Sequence, residues 1–554
     1  MSSDIEHGQP AARRGELQRS VGFYGLMFVS LGSIIGSGWL LGALNAAKLA
    51  GPASLITWVL GAVMLTLLAL VYAELGATYP VAGGSGRFAF YSHGRIAGFV
   101  SNWASWLQAV FIAPIEVLAA ISYVDSVEWI QKNFSMLTDE GLLNGRGLIV
   151  AVVLMVLFTG VNLAGAKFMS DSNSIVVIWK TAVPLLAIGV IAATSFHPGN
   201  FTSSGFMPHG IHGVFAALTG GVIFALQGFE QAVQLAGEAR NPRKDISRAI
   251  LAAMAIGALI YTLLEVVFIA GIDPANIKNG WDQPLKAGDY GAYYTLALAI
   301  GATWLGTILI IDAVVSPAGT GIVYIGTTAR LSYALGLEKE MPQALASTNS
   351  RGVPVVSIIV SAVVGIIAFG PFKSWSSLVS VVTGATAVMY AFAPIALGAL
   401  HQRDSGRRRT YQAPMPKVLL PAAFCAANLI IYWGGFDYTW KIICAMVVGL
   451  LIFGIGSTRA DTGTFDGFAS AIWIPVWFAG QFVIGWLGDY GSDGAGNRSL
   501  FPEVGGVPTD IFVVIAFALV IYYWAVRLAV GAEEVDRAVV ADLGSDDTPE
   551  LVAA

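Results

Sequence analysis

The chain has 554 residues, of which 56% are hydrophobic and only 12% charged, with mean hydropathy +0.70. Soluble domains carry about 25% charged residues, so this composition excludes an ordinary water-soluble enzyme or binding module and places the chain in a membrane. The formal charge of −5 selects no partner, and the two cysteines, Cys425 and Cys444, both fall in apolar runs, where neither a disulfide framework nor redox chemistry is expected.

In chain order, apolar runs of the length that spans a bilayer predict an all-α integral membrane protein with about 14 transmembrane helices. They lie at 21–47, 52–79, 97–124, 147–165, 172–194, 212–237, 247–271, 291–328, 353–371, 375–400, 416–434, 438–456, 468–488 and 510–531. The first is too long for a cleaved signal peptide, and thirteen more follow. With a cytoplasmic N-terminus, 21 of the 30 Lys and Arg residues fall on the inner side, 8 on the outer side, and Lys180 within a span. This bias predicts both termini in the cytoplasm of a plasma-membrane protein. The polar tails, 1–20 and 533–554, are expected to be disordered.

The first span carries the most informative fault. Gly32-Ser33-Ile34-Ile35-Gly36-Ser37-Gly38 puts three glycines and two serines into seven residues, a poor continuous helix. At membrane depth an unwound backbone is tolerated only where protein or a cavity covers it. The sixth span has a second fault, Ala225-Leu226-Gln227-Gly228-Phe229-Glu230-Gln231. The plainer reading of that run is an unbroken helix whose polar face lines the bundle. Five spans separate the two faults, so the broken helices start on opposite sides of the membrane, as in transporters built from inverted repeats. The expected halves are 21–194 and 212–402, together a core of two inverted five-helix repeats over 21–402. Four additional helices follow over 410–532.

The second half of the first span starts at Gly36-Ser37-Gly38, where free N–H groups and the positive helix end suit a carboxylate. The first halves of spans one and six end near Ser33-Ile34 and Phe224-Ala225, and their free carbonyls suit an ammonium. A site offering both fits a zwitterion, of which α-amino acids are the commonest. Phe224 is placed to act as a lid. Trp39 and Phe229 also flank the breaks, with core packing the simpler reading for both.

Charges within spans are costly. Lys180, about 12 Å along the fifth span at 1.5 Å per residue, reads as a proton-linked switch, or as a fixed cation beside the first break. The alternative is a lysine that snorkels to the interface. Glu230 is a candidate for proton coupling, against a simple role capping the helix that follows. Glu116 is another, against a structural partnership with the first or eighth span. Glu265 and Asp312 are deep but unranked; Glu74 and Glu238 are expected in loop or gate ion pairs. Pro317, after Ser316, is expected to break the eighth span.

These runs resemble a known family. Gly32–Gly38 is similar to the G-x-I-x-G-S-G break of amino acid–polyamine–organocation permeases. Tyr72-Ala73-Glu74-Leu75-Gly76 with Pro80-Val81-Ala82-Gly83-Gly84 resembles their second helix and first loop. Gly228-Phe229-Glu230 with Gly237-Glu238-Ala239-Arg240-Asn241-Pro242 resembles their sixth helix and its exit. Lys180 matches a lysine on the fifth helix of many members. Tyr91-Ser92-His93-Gly94, Asp312–Pro317, Ser374-Trp375 and Ile521–Ala525 look similar to the aspartate:proton symporter subgroup, which also carries extra C-terminal helices. The resemblance implies that Ile34 and Phe224 flank the substrate's amino group, that Gly36, Ser37 and Gly38 hold its carboxylate, and that Gln227 faces its side chain. It implies Lys180 beside the first break and Glu230 as a proton-linked or gating carboxylate. An anionic side chain would need a donor from Gln227, Ser33, Gln108 or Lys180.

The expectation is a secondary active transporter importing an amino acid, acidic or neutral, with protons by alternating access. An exchanger without net proton movement is the alternative; a non-transporting sensor is a third class, usually marked by a large soluble domain. The sequence holds no nucleophile constellation, metal-ligand spacing, phosphate loop or nucleic-acid patch. No enzyme, cofactor, metal or nucleic-acid partner is therefore expected, protons being the coupling ion. The four extra helices could scaffold a homodimer or face lipid.

Overall fold

In the computed structural model the described residues are predominantly helical. The structure describes residues 21–81, 83–164, 166–285, 290–350, 352–459, 467–490, 500–501, 503–504 and 507–543. The helices in order are α1 (Phe23–Ile34), α2 (Gly38–Ala50), α3 (Ser54–Thr78), α4 (Gly84–Asp125), α5 (Glu128–Phe134), α6 (Gly145–Ala164), α7 (Ala166–Thr194), α8 (Gly210–Ala217), α9 (Ile223–Leu226), α10 (Gln231–Gln234), α11 (Pro242–Gly271), α12 (Ala292–Ala299), α13 (Thr303–Leu337), α14 (Val355–Ala368), α15 (Trp375–Arg403), α16 (Pro416–Trp433), α17 (Phe436–Arg459), α18 (Phe468–Ala471), α19 (Trp473–Leu487), α20 (Asp510–Arg527) and α21 (Ala532–Leu543). A hairpin of two-residue strands, β1 (Glu503–Val504) and β2 (Val507–Pro508), is the only sheet among the described residues.

Among the described residues, eleven helical stretches are long and apolar enough to cross a membrane, and three shorter apolar ones accompany them, Phe23–Ile34, Gly210–Leu226 and Val355–Ala368. Two of these shorter pieces belong to the first and sixth spans, which the faults in the sequence interrupt. α4 and α15 form the interior posts, packed against each other and buried along nearly their whole length. α6, α14 and α17 instead present Ile149, Val153, Val156, Ile359, Val363, Val448 and Leu451 outward. Apolar faces this extensive are stable against hydrocarbon and unfavourable against water.

Both predicted breaks are present. α1 ends at Ile34, Ile35 leaves helical geometry, and α2 starts after Ser37. In the sixth span α8 runs into a π turn at Leu218–Val222, then α9; Gln227 is extended and Gly228 has φ +114°, and α10 resumes at Gln231.

Three expectations are corrected. The eighth span is not continuous from 291: α12 and α13 are separated around Gly301, whose φ of +75° lies outside helical geometry, as does that of Gly94 (φ +76°) at the kink within α4. Pro317 does not break α13, which passes through it; a proline inside a buried helix removes one backbone hydrogen bond without ending the helix when neighbours hold both flanks. The C-terminal tail is not disordered throughout. Residues 532–543 form α21, whose Val535 and Val539 are fully buried while Asp542 accepts from Tyr91 at 2.6 Å. Tail residues 1–20 and 544–554 lie outside the described residues.

At the end of the bundle that carries most of the basic residues, Glu74 is fully buried. It pairs with His401 (2.6 Å) and Arg409 (3.3 Å) and accepts the Ala413 N–H at 2.8 Å. This is the loop ion pair expected of Glu74. Glu238 contributes through its backbone: its carbonyl accepts the Val21 N–H at 3.0 Å, and Arg240 N–H returns to the Val21 carbonyl at 2.7 Å. The foot of α1 is thereby pinned to the exit of the sixth span.

Candidate substrate site

The two breaks meet. Gly228 lies so close to α1 that a Cβ there would sit 2.6 Å from Ser33 Oγ, and a Cβ on Gly38 would sit 2.7 Å from that of Ala225. Only glycine permits these approaches. Ser30 Oγ on α1 donates to the Phe229 carbonyl (3.0 Å) and accepts the Ala232 N–H (3.2 Å), so a side chain of the first span satisfies backbone groups left open at the break in the sixth.

Ser33, Ile34, Gly36, Gly38, Phe224 and Gln227 line one small chamber, together with Ile112 and Glu116 on α4 and Thr320 and Tyr324 on α13. Its free space is about 10 Å³, close to what a single water occupies. Gln227 is buried, and neither its amide oxygen nor its amide nitrogen has a partner. Two orphaned polar atoms at the unwound point of a buried helix are expensive, and buried amides are ordinarily satisfied. Ser37 and Ala225, also expected in the site, adjoin the residues that line it: Ala225 packs on Gly38, and Ser37 is held by Glu116.

The start of α2 already holds a carboxylate. Glu116 accepts the Ser37 N–H at 3.0 Å and the Ser37 hydroxyl at 3.1 Å. It sits at the positive end of the helix, where an anion is favoured. Glu116 thus finds the partner on the first span that the structural reading anticipated. The carbonyl end of α1 is also taken. Lys180 Nζ donates to the Gly32 carbonyl (2.9 Å) and to Thr320 Oγ1 (2.5 Å), and the Tyr261 hydroxyl donates to the Ile34 carbonyl (2.8 Å). Lys180 is buried beside the break rather than snorkelling, near enough to Glu116 and Asp312 to feel their charge without pairing directly with either.

Asp312 is fully buried beside the indole N–H groups of Trp39 and Trp179, and none of the three makes a hydrogen bond of good geometry. Glu265 is tied to Ser54 and to Trp58 (2.8 Å), a clamp between α11 and α3. Glu230 does not cap α10 with its side chain; it accepts the Gly228 N–H (3.0 Å) and the Tyr390 hydroxyl (2.6 Å). Phe229 stacks on Tyr390 (5.1 Å) and meets Tyr72 edge-on (5.8 Å), an aromatic core. Trp39 stacks on Tyr293. Phe224 meets Trp375 edge-on at 5.7 Å, and Trp375 donates to Ser37 Oγ at 3.1 Å.

Thr320, Tyr324, Tyr261, Tyr390 and Trp375 are site residues that sequence reasoning missed. Each is a single polar or aromatic residue on an apolar helix, far in sequence from both breaks. Ser33 Oγ and Tyr324 OH are 2.6 Å apart, and Gln231 reaches the same hydroxyl at 3.4 Å. A second cavity of about 160 Å³ shares Ser33, Thr320 and Tyr324 with the chamber, adds Lys180, and runs between α1, α7 and α13 past Phe28 and Val176.

Gly38→Val is expected to abolish transport while leaving membrane insertion intact. The added carbons meet the Ala225 backbone, 2.8 Å from a Cβ, and overpacking of this kind costs about 1–3 kcal/mol. Uptake by reconstituted protein, beside its expression level in the membrane, decides it; unchanged uptake refutes the tight contact.

A family model described as "Amino acid permease" matches residues 21–453. The chain is 34% identical over 517 residues to a glutamate/serine transporter, AimA, of Bacillus subtilis (strain 168), covering 92% of this chain and 94% of that protein. It is 32% identical over 522 residues to an aspartate-proton symporter of the same organism, covering 93% and 97%. It is 26% identical over 471 residues to the branched-chain amino acid permease BcaP of that organism, covering 81% and 96%. With its helical membrane fold and paired breaks, the chain belongs to the amino acid permease family of the amino acid–polyamine–organocation superfamily.

Proposed function

We propose that this permease imports an amino acid together with protons across the plasma membrane, by alternating access between two inverted repeats spanning 21–402, with four further helices over 410–532 and both termini cytoplasmic. The observation that carries the reading is Gln227, whose two amide atoms lack partners at the wall of the chamber between the broken helices. A zwitterion with a polar side chain supplies what those atoms lack. The names of the relatives, for glutamate and serine and for aspartate, favour a small or acidic substrate. The distribution of Lys and Arg favours the cytoplasmic orientation.

Coupling follows from competition at Ser37. Glu116 as a carboxylate holds the N–H and hydroxyl that the substrate's own carboxylate needs. A proton on Glu116 weakens that hold, since an ionised acceptor makes the stronger hydrogen bond, and frees Ser37 for the substrate. Proton and substrate then enter together, and Lys180 keeps the end of α1 attached to α13 until its contacts exchange. Glu230, held by Tyr390, serves the same cycle at the second break. The cavity between α1, α7 and α13 is the route by which both leave inward. The free space of the chamber is far below an amino acid, so loading requires Phe224 and Trp375 to move.

A thermal-shift screen of the purified protein against the common amino acids at two pH values tests the reading. A ligand at one hundred times its Kd stabilises the protein by about 2.7 kcal/mol. The expected result is stabilisation by one small or acidic amino acid, greater at the lower pH. Stabilisation by none, or by one with no pH dependence, counts against import or against coupling respectively.

A further inference from the structure

Asp312, Ser316 and Thr320 lie on one face of α13, four residues apart. Asp312 and Ser316 are fully buried, and neither carboxylate oxygen of Asp312 nor the Ser316 hydroxyl has a hydrogen-bond partner. Thr320 Oγ1 accepts from Lys180 Nζ at 2.5 Å and donates to the Ser316 carbonyl at 3.3 Å. Asp312 stands ~12 Å along α13 from Thr320 at 1.5 Å per residue, with Ser316 midway. Buried polar atoms are ordinarily satisfied, so a carboxyl group with both oxygens open calls for a function.

The groups that face Asp312 come from two helices. Trp39 on α2 and Trp179 on α7 turn their indole N–H groups toward it without bonding it, and Lys180, next to Trp179, is the cation whose field reaches it. Glu116 on α4 lies within the field of the same lysine. Tyr293 on α12 stacks on Trp39, while Glu230 and Glu265 have their own partners, Tyr390 for the first and Ser54 and Trp58 for the second. The donors around Asp312 can hold a carboxylate, and since no bond is made, a proton can reside there without breaking one.

A charge count gives this group a role. Lys180 is flanked by two carboxyl groups, Glu116 and Asp312. With Glu116 protonated, as substrate binding requires in the scheme above, the charges of Lys180 and Asp312 cancel. A zwitterion adds no net charge, and the loaded site is neutral. An acidic amino acid adds one negative charge, which is costly at membrane depth. One further proton, taken by the Asp312 carboxylate, restores neutrality.

We propose that Asp312 is a specificity-determining residue that adapts the central site to the charge of its substrate. Ionised, it offsets Lys180 and fits the site to a neutral amino acid. Protonated, it leaves the lysine's positive field to the side-chain carboxylate of an acidic one. That field acts at the chamber wall, where Thr320, the partner of Lys180, is exposed to the substrate. An acidic amino acid therefore enters with one proton more than a neutral one. The inference rests on the proton-coupled reading above and deepens it.

The test counts protons with a pH-sensitive dye inside proteoliposomes while radiolabelled L-aspartate or L-serine enters. Wild type is expected to take up about one proton more per aspartate than per serine. In Asp312→Asn, which lacks the second carboxyl group, this difference disappears. Serine then loads against an uncompensated lysine, and its half-saturating concentration rises about tenfold or more relative to that of aspartate. Asp312→Glu keeps the extra proton, which a merely structural role for the side chain would not demand. Equal proton counts for the two substrates in wild type overturn the proposal without recourse to any variant. So does an extra proton that survives in Asp312→Asn, or a wild type that carries only one of the two substrates. Entry of both substrates without protons overturns the coupled reading itself, and this inference with it.

Discussion

Lys180→Ala is expected to abolish transport and to cost more stability than any other single change in the core. The side chain donates to the Gly32 carbonyl and Thr320 and lies within the field of the carboxylates of Glu116 and Asp312. Removing it leaves the half-buried Gly32 carbonyl short of a donor, a penalty of up to about 3 kcal/mol. Unfolding midpoints measured in detergent report the structural part. Lys180→Met fills the space without the charge and separates packing from electrostatics. Uptake by Lys180→Ala that keeps its pH dependence would remove the lysine from the proton cycle.

The second large effect belongs to Glu116. Glu116→Gln retains the shape and one amide oxygen for Ser37, but not an ionisable group. In the competition scheme the substrate then meets a weak acceptor at every pH. Its apparent affinity should lose the improvement that wild type gains as pH falls. Accumulation against a gradient should collapse toward equilibrium, while counterflow between loaded proteoliposomes persists within about tenfold of wild type, a difference of ~1.4 kcal/mol. The variant would behave as an exchanger. Were it still to accumulate substrate in response to a pH gradient, Glu116 would not carry the coupling proton. The same pair of assays on wild type, with and without a pH gradient, separates symport from exchange.

Much of this architecture was legible because lipid makes the rules strict. Hydropathy located the helices, and two glycine-rich or polar interruptions located the breaks at Ile35–Ser37 and Gln227–Glu230. Lys180 was visible because a lysine in Ile175–Pro184 needs a reason. Its partner Thr320 was not, since a threonine on an apolar helix carries no such cost. The occupation of Ser37 by Glu116 was hidden because the two residues are 79 positions apart. Dipole arguments identify where an anion belongs, but not which anion arrives. The separation of α12 from α13 was missed because Gly301 sits in a run apolar enough to pass for helix. α21 was missed because Val535 and Val539 are too few to outweigh the acidic residues around them.

The pinned foot of α1 has a mechanical consequence. With 12 residues, α1 is a rod of about 18 Å at 1.5 Å per residue, so a ~20° swing about Ile35 would carry its foot ~6 Å. That travel exceeds the reach of the paired hydrogen bonds between Val21 and residues 238–240, whereas the Gly32 carbonyl under Lys180, near the pivot, would move only slightly. A force applied at the foot therefore has about four times the leverage of one applied at the lysine. A bulky fusion joined just ahead of Val21 would load the long arm of this lever, and a purification handle placed there would bias the very equilibrium that a transport assay sets out to measure.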